Sequence, residues 1–348
     1  MNKIDRFLFI TSAAVLGLLP ACSPIGAPPL TAGHAAAFRA SRASSLRVYT
    51  FSPDKALVAS YSATDRGRTK PISVLGGANT QLSAGNGMAI DSDGTIYVVV
   101  YDAGSSHGPL RLLVFPPGAH GDAPPERTAV LGGPVLPGYA TGLALDGRGN
   151  FWLAAIGKLL RYSTSVQGRV RPNASISVQL DTPDGYMPAH STNVALDAAG
   201  NVYCSCDVVY RGAQAIGVSE YELASGKATL VRSFYDLTLP EVPPGSIAID
   251  AAGAIYLASS LPNTGVFVYG PKTGSGEVTP TRRFAWGSGV SIRTIATDAA
   301  GDVYAGADSR IAVLGPKSNG HVRPLRTIVD RRHLDYVSGT YGTLLDVR

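Results

Sequence analysis

Five segments of this chain spell nearly the same heptad: "DSDGTIY" from Asp91, "DGRGNFW" from Asp146, "DAAGNVY" from Asp197, "DAAGAIY" from Asp250 and "DAAGDVY" from Asp298. Their spacings of 55, 51, 53 and 48 residues are those of a propeller or solenoid array. A short apolar run precedes each Asp ("GMAI", "GLAL", "NVAL", "SIAI", "TIAT"), and a second follows each Gly ("TIYVVV", "NFWLAA", "NVYCSC", "AIYLAS", "DVYAGA"). The unit therefore reads as a β-hairpin. A type I turn favours Asp first, where its carboxylate accepts backbone N–H groups, and Gly last, where φ is positive. Asp91, Asp146, Asp197, Asp250 and Asp298 are accordingly read as turn formers. The calcium-loop fragment "DSDG" lacks its later ligands.

Two further strands complete each unit. A third ("LLVF" at 112, "LLRY" at 159, "VSEY" at 218, "VFVY" at 266, "IAVL" at 311) leads through a polar loop into a fourth carrying "RTAVL", "ASISV", "VRSFY", "RRFAW" or "LRTIV". Gly and Pro recur four apart between them, at Gly121 and Pro125, Gly168 and Pro172, Gly276 and Pro280, and Gly320 and Pro324. Proline cannot donate to a ladder, so it marks the start of an outer strand. The same pair stands at Gly67 and Pro71, but no heptad hairpin precedes it, and "LRVYTF" at 46–51 supplies only a second strand. The C-terminal "YGTLLDVR" is the unassigned candidate for the missing inner strand. The pattern thus predicts an all-β, six-bladed β-propeller of four-stranded blades, closed by pairing the N- and C-terminal strands. The third residue of each of the five inner strands before the heptads is alanine (Ala89, Ala144, Ala195, Ala248, Ala296). A column of small residues is expected where six strands crowd one axis, and a solenoid would not need it.

A strand ending in Asp, then xxGxxY or xxGxxW, then an apolar strand, resembles NHL repeats and the wider group of six-bladed propellers that includes the gluconolactonase-type hydrolases and streptogramin lyases. The likeness spans residues 46–348. It implies protein or RNA binding if the NHL comparison governs, and metal-dependent lactone hydrolysis if the gluconolactonase comparison does. The latter pattern places Asn or Asp before the Gly that opens an inner strand, as ligands for a divalent ion such as calcium. Here that column reads Asn86, Thr141, Thr192, Gly245 and Arg293, with Asn193 displaced by one. Asn86, Asn193 and Asp346 in the closing strand are the metal candidates under this alternative; otherwise no cofactor is expected.

The chain opens with a basic start (Lys3, Arg6), an apolar run from Phe7 to Leu19 and small residues, the form of an export signal. That run is shorter than the roughly 20 residues a spanning helix needs. Leu19-Pro20-Ala21-Cys22 resembles the lipobox of bacterial lipoproteins, which implies a signal peptide over 1–21, lipidation of Cys22, and a membrane contact through that lipid; Ser23 points to the outer membrane. A plain secreted protein is the alternative. Residues 23–45 are poor in large apolar side chains and read as a flexible tether to the propeller at 46–348. Gly 40 and Pro 24 of 348, with charged residues at 16%, fit many turns and much buried strand. The net charge of +5 comes from scattered residues, which argues against a nucleic-acid face. A monomer is expected.

"GSSHG" at 104–108 matches a nucleophile elbow around Ser106, but the elbow requires a strand-to-helix turn that this pattern does not offer. Cys204 and Cys206 flank Ser205 at positions filled in other repeats by small or aliphatic residues, so they read as buried thiols. The six histidines show no ligand spacing. What remains is the face formed by loops from outer to next inner strands and from second to third strands. Tyr139, Tyr186, His190, Tyr210, Arg211, Glu241, Trp286 and Arg293 are the polar and aromatic residues expected at its funnel mouth, for a protein, glycan or small-molecule ligand. The reading is a lipid-anchored binding module, with the divalent-metal hydrolase or lyase as alternative.

Overall fold

The computed structural model describes residues 46–347 apart from 102–108, 134–141, 156, 225–226, 240–243, 260, 263, 308 and 335–343. Arg39–Arg348 form one compact unit. Its strands make six blades, numbered here from the first complete one. Blade one comprises Gly85–Ile90, Ile96–Tyr101, Leu110–Phe115 and Arg127–Leu131; blade two comprises Leu143–Leu145, Asn150–Ala155, Lys158–Ser163 and Ala174–Ser177. Blade three holds His190–Leu196, Val202–Tyr210, Ala213–Ala224 and Lys227–Asp236; blade four holds Pro244–Ile249, Ile255–Ser259, Val266–Tyr269 and Arg282–Ala285. Blade five runs through Thr294–Thr297, Val303–Ala307, Arg310–Leu314 and Arg326–Val329. Blade six takes its inner strand, Leu344–Val347, from the chain's end and pairs it with Arg47–Ser52, followed by Leu57–Ser62 and Ser73–Gly76. Each inner strand touches the next, from blade one round to Leu344–Val347 and back to Gly85–Ile90, so the ring is closed.

The heptad has a single job at the end of each inner strand. In blade four, Asp250 Oδ1 accepts the N–H groups of Ala252 and Ala254 at 2.9 Å each, and Oδ2 accepts the Tyr256 hydroxyl at 2.9 Å. Asp91 with Tyr97, Asp197 with Tyr203 and Asp298 with Tyr304 repeat the arrangement at 3.1, 3.2 and 3.2 Å. The last residue of the turn has positive φ in all five hairpins, from 78° at Gly301 to 91° at Gly200, which only glycine adopts without strain. Blade two departs from the rule because Trp152 replaces the tyrosine: Asp146 Oδ2 instead accepts Asn150 Nδ2 at 2.9 Å, and the indole N–H of Trp152 is buried without a partner among the described residues.

Apolar side chains from facing blades fill the space between them. Tyr97, Val99 and Leu112 of blade one, for instance, share a core with Phe151, Leu153 and Tyr162 of blade two. Two other devices join neighbours. The expectation of four strands per blade is met and exceeded, because the segment that begins at the recurrent glycine pairs in parallel with the outer strand of the preceding blade: Gly168 opposite Ala129, Gly276 opposite Phe234, Gly320 opposite Phe284, Gly67 opposite Ile328, and an isolated bridge between Leu75 and Gly121. The outer strands are therefore not bare edges at these five junctions. An arginine of the outer strand, its first residue in blades one, four and five and its sixth in blade three, then reaches across the same junction. Arg127 donates to Thr164 O at 2.6 Å, Arg232 to Pro271 O at 2.9 Å and Thr273 O at 2.7 Å, Arg282 to Ser318 O at 2.9 Å, and Arg326 to Ala63 O. Arg282 and Arg326 also donate to the Tyr256 and Tyr304 hydroxyls, extending each Asp–Tyr pair into a chain that crosses the blade.

Blade three lacks the glycine-proline segment and is built differently. Its second, third and fourth strands have 9, 12 and 10 residues, against four to six in the other blades. An extra hairpin, Gln179–Thr182 with Gly185–Pro188, leads into it from blade two. Asp181 N–H bonds Ser233 Oγ at 2.6 Å and Ser219 Oγ bonds Gln179 O at 2.5 Å, which ties that hairpin to blade three.

Candidate functional site

Two regions take up the sequence expectations, the axis and the extension of blade three. At the axis the strand register places Ala89, Ala144, Ala195, Ala248 and Ala296 opposite Tyr97, Trp152, Tyr203, Tyr256 and Tyr304. The equivalent of that tyrosine in blade six is Tyr49, and the residue opposite it is Asp346. A carboxylate thus occupies the sixth place of the alanine column, 8% exposed, and its Oδ2 accepts the Ile90 N–H of blade one at 2.7 Å.

Asn193 lies higher on the same axis, half-buried. Its Oδ1 accepts the N–H of Val194 at 2.8 Å and its Nδ2 lies 3.4 Å from Gly245 O. The carboxamide fills the space beside Gly142, where an added Cβ would come within 2.4 Å of Asn193 Oδ1. Arg293 is half-buried, with its carbonyl 2.8 Å from where a Cβ on Gly245 would stand. Asn86 lies in the inner strand of blade one, but its side chain is outside the described residues.

A hard divalent cation takes six or more oxygens, and of the three candidates only Asp346 and Asn193 have described side chains. Asp346 and Asn193 each already give an oxygen to a backbone N–H, and among the described residues no three of His, Cys, Asp and Glu come together.

The extension of blade three gathers four of the eight residues expected at the mouth. Tyr186 stands on the added hairpin, 63% exposed. Arg211 occupies the tight turn between the two long strands, where it and Gly212 have φ of 51° and 79°, the geometry of a two-residue hairpin loop. Its guanidinium lies 3.4 Å from Asp184 on the added hairpin and 5.1 Å above the Tyr210 ring. The Arg211 hydrogen bond holds the Asp184 carboxyl below the usual range. His190 opens the inner strand opposite Asp207, with Nδ1 4.0 Å from its carboxylate, and Val209 is 66% exposed nearby on the same strand as Asp207.

Tyr210 and Trp286 correct the expectation of an exposed mouth. Tyr210 is 3% exposed, edge-on to Tyr235 at 5.3 Å, because the register turns it inward and Val209 outward. Trp286 is 5% exposed and packs with Val290, Ile292 and Val303, so it holds a loop in the core of blades four and five. Tyr139, Glu241, Ser106 and Cys22 lie outside the described residues. Cys204 and Cys206 are free and fully buried, and burial pushes the Cys204 thiol up.

Asp184 and Asp207 were missed by sequence reasoning, since nothing in the sequence shows which carboxylate the long strands bring to Arg211 or His190. The bridging arginines were legible in principle: an arginine opens the fourth strand in three of six blades, and a fourth stands at Arg232 within that of blade three.

Comparison with known proteins adds little to this geometry. A candidate gluconolactonase of known structure aligns at 14% identity over 67% of this chain and 75% of its own, with a TM-score of 0.43. A protein from Lactobacillus plantarum aligns at 14% identity over 82% of each chain, with a TM-score of 0.48. A protein of unknown function from Bacteroides caccae aligns at 8% identity over 65% of this chain and 74% of its own, with a TM-score of 0.42. No family model and no curated protein matches the sequence.

Proposed function

We propose that this protein is an exported, lipid-anchored propeller that works by binding, with the extension of blade three as its recognition surface. The observation that carries this reading is the departure of one blade from the other five. The second to fourth strands of the other five blades have four to six residues, yet blade three adds several to each of these strands and a further hairpin. The added surface displays Tyr186 and Val209 beside Arg211, Asp184 and His190. An open aromatic and aliphatic surface with a few polar groups suits an extended peptide or a glycan, where ring stacking contributes area and the charged groups fix orientation. The leader and the Leu19-Pro20-Ala21-Cys22 sequence support display at a membrane.

Site-specific photocrosslinking in intact envelopes tests the reading. A crosslinker replacing Tyr186 is expected to capture a discrete ligand, and one replacing Glu126, exposed on blade one, is not. Equal capture at both positions, or none at either, defeats it. A stoichiometric bound metal whose chelation lowers the melting temperature would instead favour the hydrolase.

A further inference from the structure

The segments that lie on preceding blades share a backbone but not a chemistry. They read "GDAPPE" at 121, "GRVRPN" at 168, "GEVTPT" at 276, "GHVRPL" at 320 and "GRTKPI" at 67. Only those of blades five and six combine basic residues with an aliphatic residue directly after the proline. Those two aliphatic residues, Ile72 and Leu325, are 52% and 53% exposed. Arg66, Arg68, Lys70 and Arg323 are exposed as well.

These six residues belong to one stretch of wall. Leu325 leads directly into Arg326–Val329, and Gly67 and Arg68 pair in parallel with Ile328 and Val329 of that strand. Thr69 N–H continues the ladder to Val329 O at 3.2 Å, and Lys70-Pro71-Ile72 then crosses to blade six, where Ile72 N–H bonds Ser60 O at 2.7 Å. Among the described residues none of the four cations forms an ion pair with a carboxylate. The neighbouring acids are engaged elsewhere: Asp65 accepts the Ser62 N–H at 3.0 Å, and Asp302 lies 3.9 Å from Arg326.

The chain also enters the propeller here. Leu46 O accepts the Ala63 N–H at 2.9 Å, and Arg326 donates to Ala63 O, so the root of the N-terminal segment stands beside the strip. From Ser23 to Ser45 the tether has 23 residues, which reach at most about 80 Å when fully extended.

We infer that the wall of blades five and six, comprising Arg66, Arg68, Lys70 and Arg323 with Ile72 and Leu325, docks the propeller onto a membrane surface rich in anionic phospholipid. Cations interleaved with exposed aliphatic side chains match such a surface, the former drawn by lipid charge and the latter inserting among headgroups. The position of the tether's root is consistent with the lipid-anchor reading, and docking along this wall leaves the choice of ligand to blade three.

The test uses the unit from Arg39 onward, which lacks Cys22 and whose ring closes without a strand from the preceding residues. Co-sedimentation is measured with vesicles of phosphatidylcholine alone and with about one third phosphatidylglycerol. Each cation held at an anionic surface contributes about five-fold in partition, so a preference of at least ten-fold for the anionic vesicles is expected, collapsing as added salt shortens the screening length. R68E/K70E should remove most of that preference, and I72S/L325S should weaken binding with less effect on salt dependence. The control R169E/R171E, on the basic segment of blade two, should change little. A folded domain without anionic preference overturns the inference, as does a control that loses as much as R68E/K70E. The mass of the Cys22 peptide from the mature full-length protein reports anchoring separately, so either reading can fail alone.

Discussion

Asp346 Oδ2 accepts the main-chain N–H of Ile90 at 2.7 Å, joining the last strand of the chain to the first complete blade. Five blades place alanine at this level, and the sixth places an acceptor that bridges the joint where the ring is not covalently continuous. Asp346→Ala fits the available space but removes a charge-assisted hydrogen bond, so a loss of about 1.5–3 kcal/mol is expected in denaturant unfolding. Asp346→Asn keeps an acceptor and should cost less. Equal stability of wild type and Asp346→Ala would refute the clamp.

The Asp–Tyr–Arg chain of blade four predicts graded losses. Tyr256→Phe removes the hydroxyl between Asp250 and Arg282 and should cost about 1 kcal/mol, while Asp250→Ala also leaves two turn N–H groups without the oxygen that accepts them and should cost about 2–4 kcal/mol. The double variant should fall short of the sum, because both residues serve one network. Urea titrations of the three variants measure this.

Alkaline unfolding should follow from the same tyrosines. Burial, then the charge of Asp250, pushes the Tyr256 hydroxyl up to about 12 against the opposing pull of Arg282, and burial pushes Tyr221 up to about 12. Tyr61, Tyr203, Tyr269 and Tyr304 rise further, chiefly through burial. Their folded pKa values exceed the unfolded value near 10, so the unfolded chain loses protons first. The stability tied to these protons is complete below pH about 10 and is lost as pH climbs from there through the folded values. The ionisation of Tyr61, Tyr203, Tyr221, Tyr256, Tyr269 and Tyr304 should therefore come in one cooperative step together with loss of strand signal; their ionisation within an intact fold would contradict the buried network.

The two strand cysteines should be inert. Cys204 and Cys206 are fully buried, and the thiolate that attacks a disulfide reagent is disfavoured by that burial. The unit from Arg39 onward should release no chromophore from an aromatic disulfide reagent until denaturant unfolds it, and then react with two equivalents.

The ring was legible because its signals are local. Asp250 and Gly253 specify a turn through their own neighbours, and the alanine column reports crowding without reference to any partner. The expected mouth was less legible because exposure depends on register: Val209 and Tyr210 are adjacent in sequence, yet one faces solvent at 66% and the other the core at 3%. The lengthened strands of blade three carry no repeated letters that would announce where they stop. Its added hairpin reads in sequence as a loop, although Thr182, Asp184 and Gly185 are turn residues in retrospect. The basic wall was hidden for another reason. Gly67 and Ile328 are far apart along the chain and come to lie opposite each other only because one blade lays its leading segment on another.

Arg47–Ser52 is flanked on one side by Leu57–Ser62 and on the other by Leu344–Val347, both antiparallel to it. A pull applied at Leu46 along this strand loads two ladders in shear at once, so their hydrogen bonds must yield together rather than one at a time. The seam where the chain's two ends meet is thereby a mechanical splice, strongest in the direction in which a tether would tug.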